Sequence, residues 1–325
     1  MATLFKKILT ASCVVAALTS SSVMAKQDYP VKEIRFITAF GPGSASDIVA
    51  RLIAERLEGV FKHPVIVENK PGASGQIAAD FVARAQPDGY TIMLATNTTH
   101  SANPYLFKTL RYDPVKDFTP LAQVCNFPFV LAVSGKLPIS NIKELLAYAK
   151  KNRDTLSYAY GNSTGQISAA AFDKAAGLEA TPVPYKSSPQ AMTDIIGGRA
   201  SFMFADLASA AGHISSGNLK VLGVTTRQRT ALAPDLPTIA ESINQPGFDL
   251  AAWVGIFGPA GMPQAIVDRL SAEIVKIVSS DDMRQRLTKL GAEPTPAPAE
   301  KFGPFVIEQL AIWGEKVKEA EIPAQ

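Results

Sequence analysis

The stretch Phe40-Gly41-Pro42-Gly43-Ser44-Ala45-Ser46-Asp47 stands between an apolar run, Ile34 to Ala39, and a helical pattern, Ile48 to Leu57. A glycine-rich loop at the start of a helix leaves backbone N–H groups free beside the positive end of the helix dipole, and that combination binds anions. The loop contains no Lys or Arg, so an anion there is held by amides and hydroxyls, with Phe40, Gly43, Ser44, Ala45 and Ser46 as the candidate contacts. Asp47 is read as capping its helix and pairing with Arg51 four residues on. A second stretch has the same composition: Gly161, Asn162, Ser163, Thr164 and Gly165 again follow an apolar run and open a helical pattern. Two further segments also fall after apolar runs, Thr96-Asn97-Thr98-Thr99-His100, with Asn97 and Thr98 as candidates, and Ala205-Asp206, and Asp206 is the one acid among the candidates. Two uncharged donor loops facing each other would suit a small molecule with anionic groups.

Short apolar runs alternate with helical patterns along most of the chain. Ile34–Ala39, Pro64–Glu68 and Tyr90–Ala95 read as strands, separated by helices over Asp47–Leu57 and Ser74–Ala85. This βαβαβ order predicts a parallel sheet with right-handed crossovers. A proline-punctuated stretch follows, then a strand at Phe129–Val133 and an amphipathic helix at Ile142–Lys150. A second alternating unit has strands at Leu156–Tyr160, Thr181–Tyr185, Ala200–Phe204 and Leu219–Thr225, with helices at Gln166–Ala176, Pro189–Ile196 and Leu207–Ser215. Pro234–Pro246 reads as a crossing segment, Leu250–Gly258 as a strand, and Pro263–Val278 and Ala299–Lys318 as helices. The expected fold class is α/β: two doubly wound sheets joined by crossing strands, forming a two-lobed clamshell. Lobe one is placed at residues 26–127 plus 249–325 and lobe two at 128–248. Ligands of open α/β sheets bind beyond the carboxyl ends of the strands, where all four candidate segments fall.

Other chemistries fit less well. Gly161-Asn162-Ser163-Thr164-Gly165 matches the G-x-S-x-G nucleophile elbow, which makes a secreted serine hydrolase using Ser163 the alternative. That mechanism needs an acid and then a histidine late in the chain, and only His213 follows Ser163. Gly41-Pro42-Gly43-Ser44-Ala45-Ser46 departs from the dinucleotide fingerprint at its third glycine. Three scattered histidines and two cysteines show no metal-ligand spacing. No catalytic residue, metal or cofactor is therefore expected. His100 is read as a packed loop residue, Trp253 as core, and Lys186 as a solvated lysine near the rim.

Met1–Ala25 reads as a secretory signal: Lys6 and Lys7, an apolar core from Ile8 to Leu18, and the small-residue site Val23-Met24-Ala25. The apolar run is shorter than the ~20 residues of a membrane span. The remaining chain has 32 − 2 = 30 basic and 29 acidic residues, a charge of +1, which argues against nucleic acid as a partner. Cys13 leaves with the signal, and Cys125, the sole remaining cysteine, has no internal disulfide partner. These features predict a periplasmic location.

Across nearly the whole mature chain the sequence resembles the Bug-type extracytoplasmic solute receptors of tripartite tricarboxylate transporter systems. The resemblance is carried by Tyr29-Pro30, Phe40 to Arg51, Val67 to Gly75, Pro87-Asp88-Gly89-Tyr90, His100 to Pro104, Pro184-Tyr185-Lys186, Phe204-Ala205-Asp206, Pro234 to Glu241, Trp253-Val254-Gly255 and Pro259-Ala260-Gly261. It implies a non-enzymatic binding protein of the Venus-flytrap type, expected as a monomer, that closes on a small mono- or dicarboxylate or an acidic amino acid. It also implies delivery of that ligand to a two-component membrane permease, with Phe40–Ser46 and Gly161–Gln166 gripping it. Two departures, Ser44 beside Gly43 and Ser187 after Tyr185-Lys186, stand where the family commonly has glycine, and the added hydroxyl of Ser44 in the first loop bears on which carboxylate is preferred.

Overall fold

The structure, a computed structural model, describes residues 29–325; the signal read over Met1–Ala25 lies outside them. Within the unit Lys32–Gln325 the chain begins with strand β1 (Ile34–Thr38), helix α1 (Ala45–Phe61), strand β2 (Val65–Asn69), helix α2 (Gln76–Ala83) and strand β3 (Thr91–Thr96). β1 lies between β2 and β3 and is parallel to both. Ile34, Phe36, Ile37 and Thr38 are buried, so both faces of the strand are covered apart from Arg35 near its start, as suits a central parallel strand. α1 buries Val49, Ala50, Ile53, Ala54 and Leu57, the three-and-four spacing of one helical stripe.

A π-helical turn (Thr98–Ala102) and the short helix α3 (Asn103–Leu106) lead to β4 (Phe118–Ser134), a strand of 17 residues. The second lobe follows: α4 (Ile142–Lys151), β5 (Ser157–Tyr160), α5 (Ser163–Ala176), β6 (Thr181–Pro184), α6 (Ser188–Ile196), β7 (Phe202–Asp206), α7 (Leu207–Ser215) and β8 (Leu219–Val224). The chain then passes through α8 (Ile239–Ile243) to β9 (Ala251–Pro259), α9 (Gln264–Ser279), α10 (Asp281–Lys289), β10 (Glu293–Pro298) and α11 (Ala299–Glu319).

The strand order β2-β1-β3-β9 of one lobe is matched by β6-β5-β7-β4 in the other, with the last strand antiparallel in both. β4 belongs to both sheets. From Phe118 to Pro128 it pairs with β9 and β10, and from Phe129 to Ser134 with β7 and β8. Only its second half was legible as a strand. Pro120 interrupts the first half next to a register shift against β9, and Pro128 ends the pairing with β9. These are places where a missing N–H is tolerated.

α10 and β10 are further elements that the sequence pattern did not signal. β10 carries three prolines in six residues and pairs with β4 across an irregularity. The segment read as crossing, Pro234–Pro246, instead holds α8, whose Thr238–Glu241 capping box stands beside β8 through a Val224–Thr238 bridge.

The two crossings are tied together at Thr225, which is fully buried. Its N–H donates to Phe129 O at 2.9 Å, its hydroxyl accepts from Phe129 N–H at 3.2 Å and donates to Leu250 O, and its own carbonyl accepts from Leu250 N–H at 3.0 Å. Replacing that hydroxyl by a methyl leaves buried backbone groups short of partners. We expect Thr225→Val to lower stability by about 1–3 kcal/mol, read as a lower urea midpoint at unchanged slope. An unaltered midpoint would show that the hydroxyl contributes nothing there.

Candidate functional site

Three helices start at one place. Ser44, and not Asp47 as expected from the sequence, caps α1, its hydroxyl accepting from Asp47 N–H at 3.3 Å. Asn162 caps α5 through Gly165 N–H at 2.8 Å, and Asp206 caps α7 through Ser209 N–H at 2.8 Å. Each cap satisfies one amide and leaves others of the first turn free. Around these starts lies a cavity of about 20 Å³ lined by Phe40, Ser44, Ala45, Ser46, Asn97, Thr98, Asn162, Thr164 and Asp206 from the sequence-derived set. Gly43, Gly161, Ser163 and Gly165 are not on its wall.

Those four residues shape the loops instead. Gly43 has φ +78°, a left-handed conformation that glycine accepts without strain, and its N–H donates to Asp47 Oδ2 at 3.0 Å. Gly161 lies so close to the Ser187–Ser188 backbone that a Cβ would stand 2.1 Å from the Ser187 carbonyl carbon. At Gly165 a Cβ would meet Phe204 O at 2.8 Å. Ser163 is buried, and its hydroxyl donates to Asn103 Oδ1 at 3.1 Å rather than to a histidine.

Asp47 organises the first loop. Its carboxylate accepts from Gly43 N–H, from Asn69 Nδ2 at 2.9 Å and from Arg51, at 2.9 Å in the closest approach. Burial alone would raise its pKa; the hydrogen bonds from Arg51, Gly43 and Asn69 outweigh that and hold it below the usual carboxylate range. Asn69 also donates to Phe40 O at 2.9 Å, so the end of β2 anchors the loop that follows β1.

The two sides of the cavity meet directly. Asn97 Nδ2, at the end of β3, donates to Thr164 Oγ1 on α5 at 2.8 Å. Asn103, in α3, accepts from Ser163 while donating to Ser74 O and to Tyr112 Oη, whose hydroxyl in turn donates to Thr99 O. Thr96, the last residue of β3 and the first of the loop segment read from the sequence, also lines the cavity, and lining residues with no sequence signal are Phe127, Phe129, Ser188 and Ala252. Phe127, Phe129 and Ala252 sit on the crossing strands β4 and β9, where apolar residues read only as core. Lys186 borders a neighbouring opening of about 270 Å³ beyond Asn162 and is not on the first cavity's wall. A groove of about 750 Å³ beside Arg35, Phe81 and Thr91 lies at the amino ends of β1 and β3, away from the loops.

His100 is wholly buried behind the Asn97–Thr98 loop. Its ring stacks on Phe257 at 4.1 Å between centroids and meets Phe118 edge-on at 4.5 Å. Its Nδ1 hydrogen-bonds Thr99 Oγ1 at 2.9 Å, and Nε2 has no partner. Trp253 is likewise core, 5.7 Å from Phe302. Among the described residues no group of His, Cys, Asp and Glu side chains could hold a metal, and no helix is long and apolar enough to cross a membrane.

Residues 49–322 match the family described as the tripartite tricarboxylate transporter family receptor. The chain belongs to this family. It is 35% identical over 296 residues to a curated UPF0065 protein of Bordetella bronchiseptica, covering 91% of this chain and 88% of that one. It is 28% identical to the protein BugT of Bordetella pertussis over 90% of each chain. Among solved structures, an R. palustris protein with adipate superposes with a TM-score of 0.88 at 32% identity, covering 91% of this chain and all of that one. The periplasmic binding protein BugD gives 0.86 at 34%, covering 91% and 100%. MatC of Rhodopseudomonas palustris with bound malate gives 0.83 at 31%, covering 89% and 100%. The two-lobed α/β fold is thus that of family receptors for solutes, not that of an enzyme.

Burial pushes the His100 imidazolium from 6.5 down to about 3. A depressed folded value means stability that is present above the unfolded pKa and lost as pH falls from 6.5 toward 3. At pH 5 the loss from this group amounts to about 2 kcal/mol relative to neutral pH. His100→Phe, which keeps an aromatic ring in the cage, should show a smaller drop in urea midpoint between pH 7 and pH 5 than the unsubstituted protein. Equal drops would mean that His100 does not titrate in this range.

Proposed function

We propose that this chain is a periplasmic, monomeric, non-catalytic receptor that closes its lobes on a small mono- or dicarboxylate and hands it to a two-component membrane permease. The observation that carries this reading is a cavity without Lys, Arg or His on its wall, bounded by helix starts from both lobes. Neutral amides and hydroxyls at helix N-termini suit a carboxylate, since hydrogen bonds to charged groups contribute about 1.5–3 kcal/mol each. The carboxylates named for the neighbours, adipate and malate, support the same class. The signal-like segment Met1–Ala25 supports export.

A cavity of about 20 Å³ is the size of roughly one water molecule. A ligand therefore enters when the lobes part and the Asn97–Thr164 contact opens. The hinge we assign lies at Pro128–Phe129, where β4 changes partners, and at the Thr225–Leu250 tie, with lobe one at residues 26–127 plus 249–325 and lobe two at 128–248. The contacts we assign to the ligand are Ser44, Ala45, Ser46, Asn97, Thr98, Asn162 and Thr164. The partnership of Ser163 with Asn103 favours a clasp over a nucleophile.

A thermal-shift screen of the mature protein against carboxylates and amino acids tests the reading. A ligand at 100 times its dissociation constant adds about 2.7 kcal/mol of stability. A profile flat across carboxylates, with a hit among sugars or cations, would overturn it. Thr164→Val should weaken binding by about 1.5–3 kcal/mol if its hydroxyl donates to a carboxylate; unchanged affinity removes Thr164 from the site. Binding should be stoichiometric, without product, and should persist in Ser163→Ala. Turnover abolished by that substitution would instead establish a hydrolase.

A further inference from the structure

Helix α5 brings Asn162 and Thr164 to the cavity at its start, and it is held again near its other end. Lys174, in its last turn, donates from Nζ to Glu319 O at 3.0 Å and pairs with Glu321 Oε1 at 2.6 Å. Both partners stand at the end of α11, which is rooted away from α5. Phe302 and Val306 of α11 pack in one core with Ile37, Phe40 and Trp253, and Gly314 lies so close to the Tyr105 ring that a Cβ would stand 2.5 Å from it. Beyond α11 the chain runs on to Gln325, whose N–H donates to Leu106 O and whose carbonyl accepts from Lys108 N–H, both at 2.9 Å. Residues 320–325 are therefore fastened at both ends to the part of the chain assigned to lobe one, and Lys174 of the other part reaches between those two ends.

The turn that opens this segment breaks a local preference. Glu321 N–H donates to Lys318 O at 3.0 Å and Ile322 N–H donates to Val317 O at 3.4 Å, the paired bonds of a Schellman turn. The left-handed residue of such a turn is ordinarily glycine. Here it is Glu321, at φ +52°. Glycine would make the same turn with less strain, but it has no carboxylate to offer Lys174. The contact is also one that can come apart. The Lys174 and Glu321 side chains are 49% and 73% exposed, and an opening of about 370 Å³ lies between Glu321, Ile322 and Pro323 on one side and Tyr158, Tyr160 and Pro182 on the other.

We infer that residues 320–325 form a strap that holds the two lobes together, with the Lys174–Glu321 pair as its fastening. This rests on the reading that the lobes part about β4 and Thr225. In that motion α5 travels with lobe two while α11 and the strap stay with lobe one, so opening takes Lys174 away from both of its acceptors. An interaction made in only one of two forms shifts the balance toward that form by its own free energy. Lys174 stands ten residues along α5 from Thr164, roughly 15 Å at 1.5 Å per residue. The strap therefore acts on closure alone and leaves the choice of ligand to the cavity.

Double electron–electron resonance on the mature protein, with spin labels at Ile77→Cys in α2 and Gln190→Cys in α6, reads the separation of the lobes. Both positions are exposed, and Cys125 is wholly buried and takes no label. A short and a long separation are expected, and the ratio of short to long should fall about threefold or more in Lys174→Met and in Glu321→Gly. A threefold change is ~0.7 kcal/mol, within the range of an exposed ion pair. Glu321→Gly keeps the turn and relaxes it, so a fall in that variant reports the lost carboxylate and not a damaged helix end. If both separations are present and their ratio is the same in all three proteins, the inference falls and the hinge reading stands. If every protein shows one and the same separation, the lobes do not part, and the hinge reading falls with the inference. Should one variant fail to fold, the other decides.

Discussion

One strand serves two sheets, and the cavity depends on it. β4 leaves β9 at Pro128 and joins β7 and β8 at Phe129, so a single run of backbone fixes where the sheets stand relative to each other. Parallel strands deliver their connecting loops at their carboxyl ends. Because β2-β1-β3 and β6-β5-β7 repeat the same order on either side of the shared strand, the loops after β1, β3, β5 and β7 converge. The loop after β1 ends in the cap of α1, and the loop after β5 ends in the cap of α5. The bond from Asn97 to Thr164 joins the two halves.

The wall produced this way is polar yet almost uncharged. The hold on an anion that we propose for it comes from dipoles fixed by the backbone, which need no counter-ion and no long flexible side chain to be ordered. The charges that do occur near the loops are spent on architecture. Arg51 and Asp47 pair with each other, and Asp47 also holds Gly43 and Asn69. His100 is uncharged at neutral pH in its aromatic cage, so it supports the Asn97–Thr98 loop by shape.

Much of this was legible in the sequence. The alternation of apolar runs and helical patterns revealed the strands of both lobes because buried parallel strands and amphipathic helices have strong periodic signals. Nine cavity residues were picked out by their composition at strand–helix junctions, where glycines, hydroxyls and amides cluster for capping and turns as well as for binding. What escaped was structure with no period. The first half of β4 is punctuated by prolines at bulges, and β10 is half proline. Phe127, Phe129 and Ala252 look like any core residue until the crossing strands bring them to the cavity. Within Gly161–Gly165 the composition did not separate the residues on the cavity wall from those behind it. Gly161 and Gly165 are there to let backbones approach, and Ser163 faces Asn103.

Ser44, Asn162 and Asp206 each finish a helix and front the cavity at once. Helix ends accept a short alphabet there, essentially Ser, Thr, Asn, Asp and Gly, and other residues cost about 0.5–2 kcal/mol. Drift in ligand preference at these positions is therefore confined to swaps within that alphabet: a hydroxyl for an amide, an amide for an acid, or a side chain for none. On the proposed reading, descendants of this chain can retune what they hold by exchanging one small polar group for another, whereas an aliphatic or basic residue would loosen the very helix whose amides we assign to the ligand.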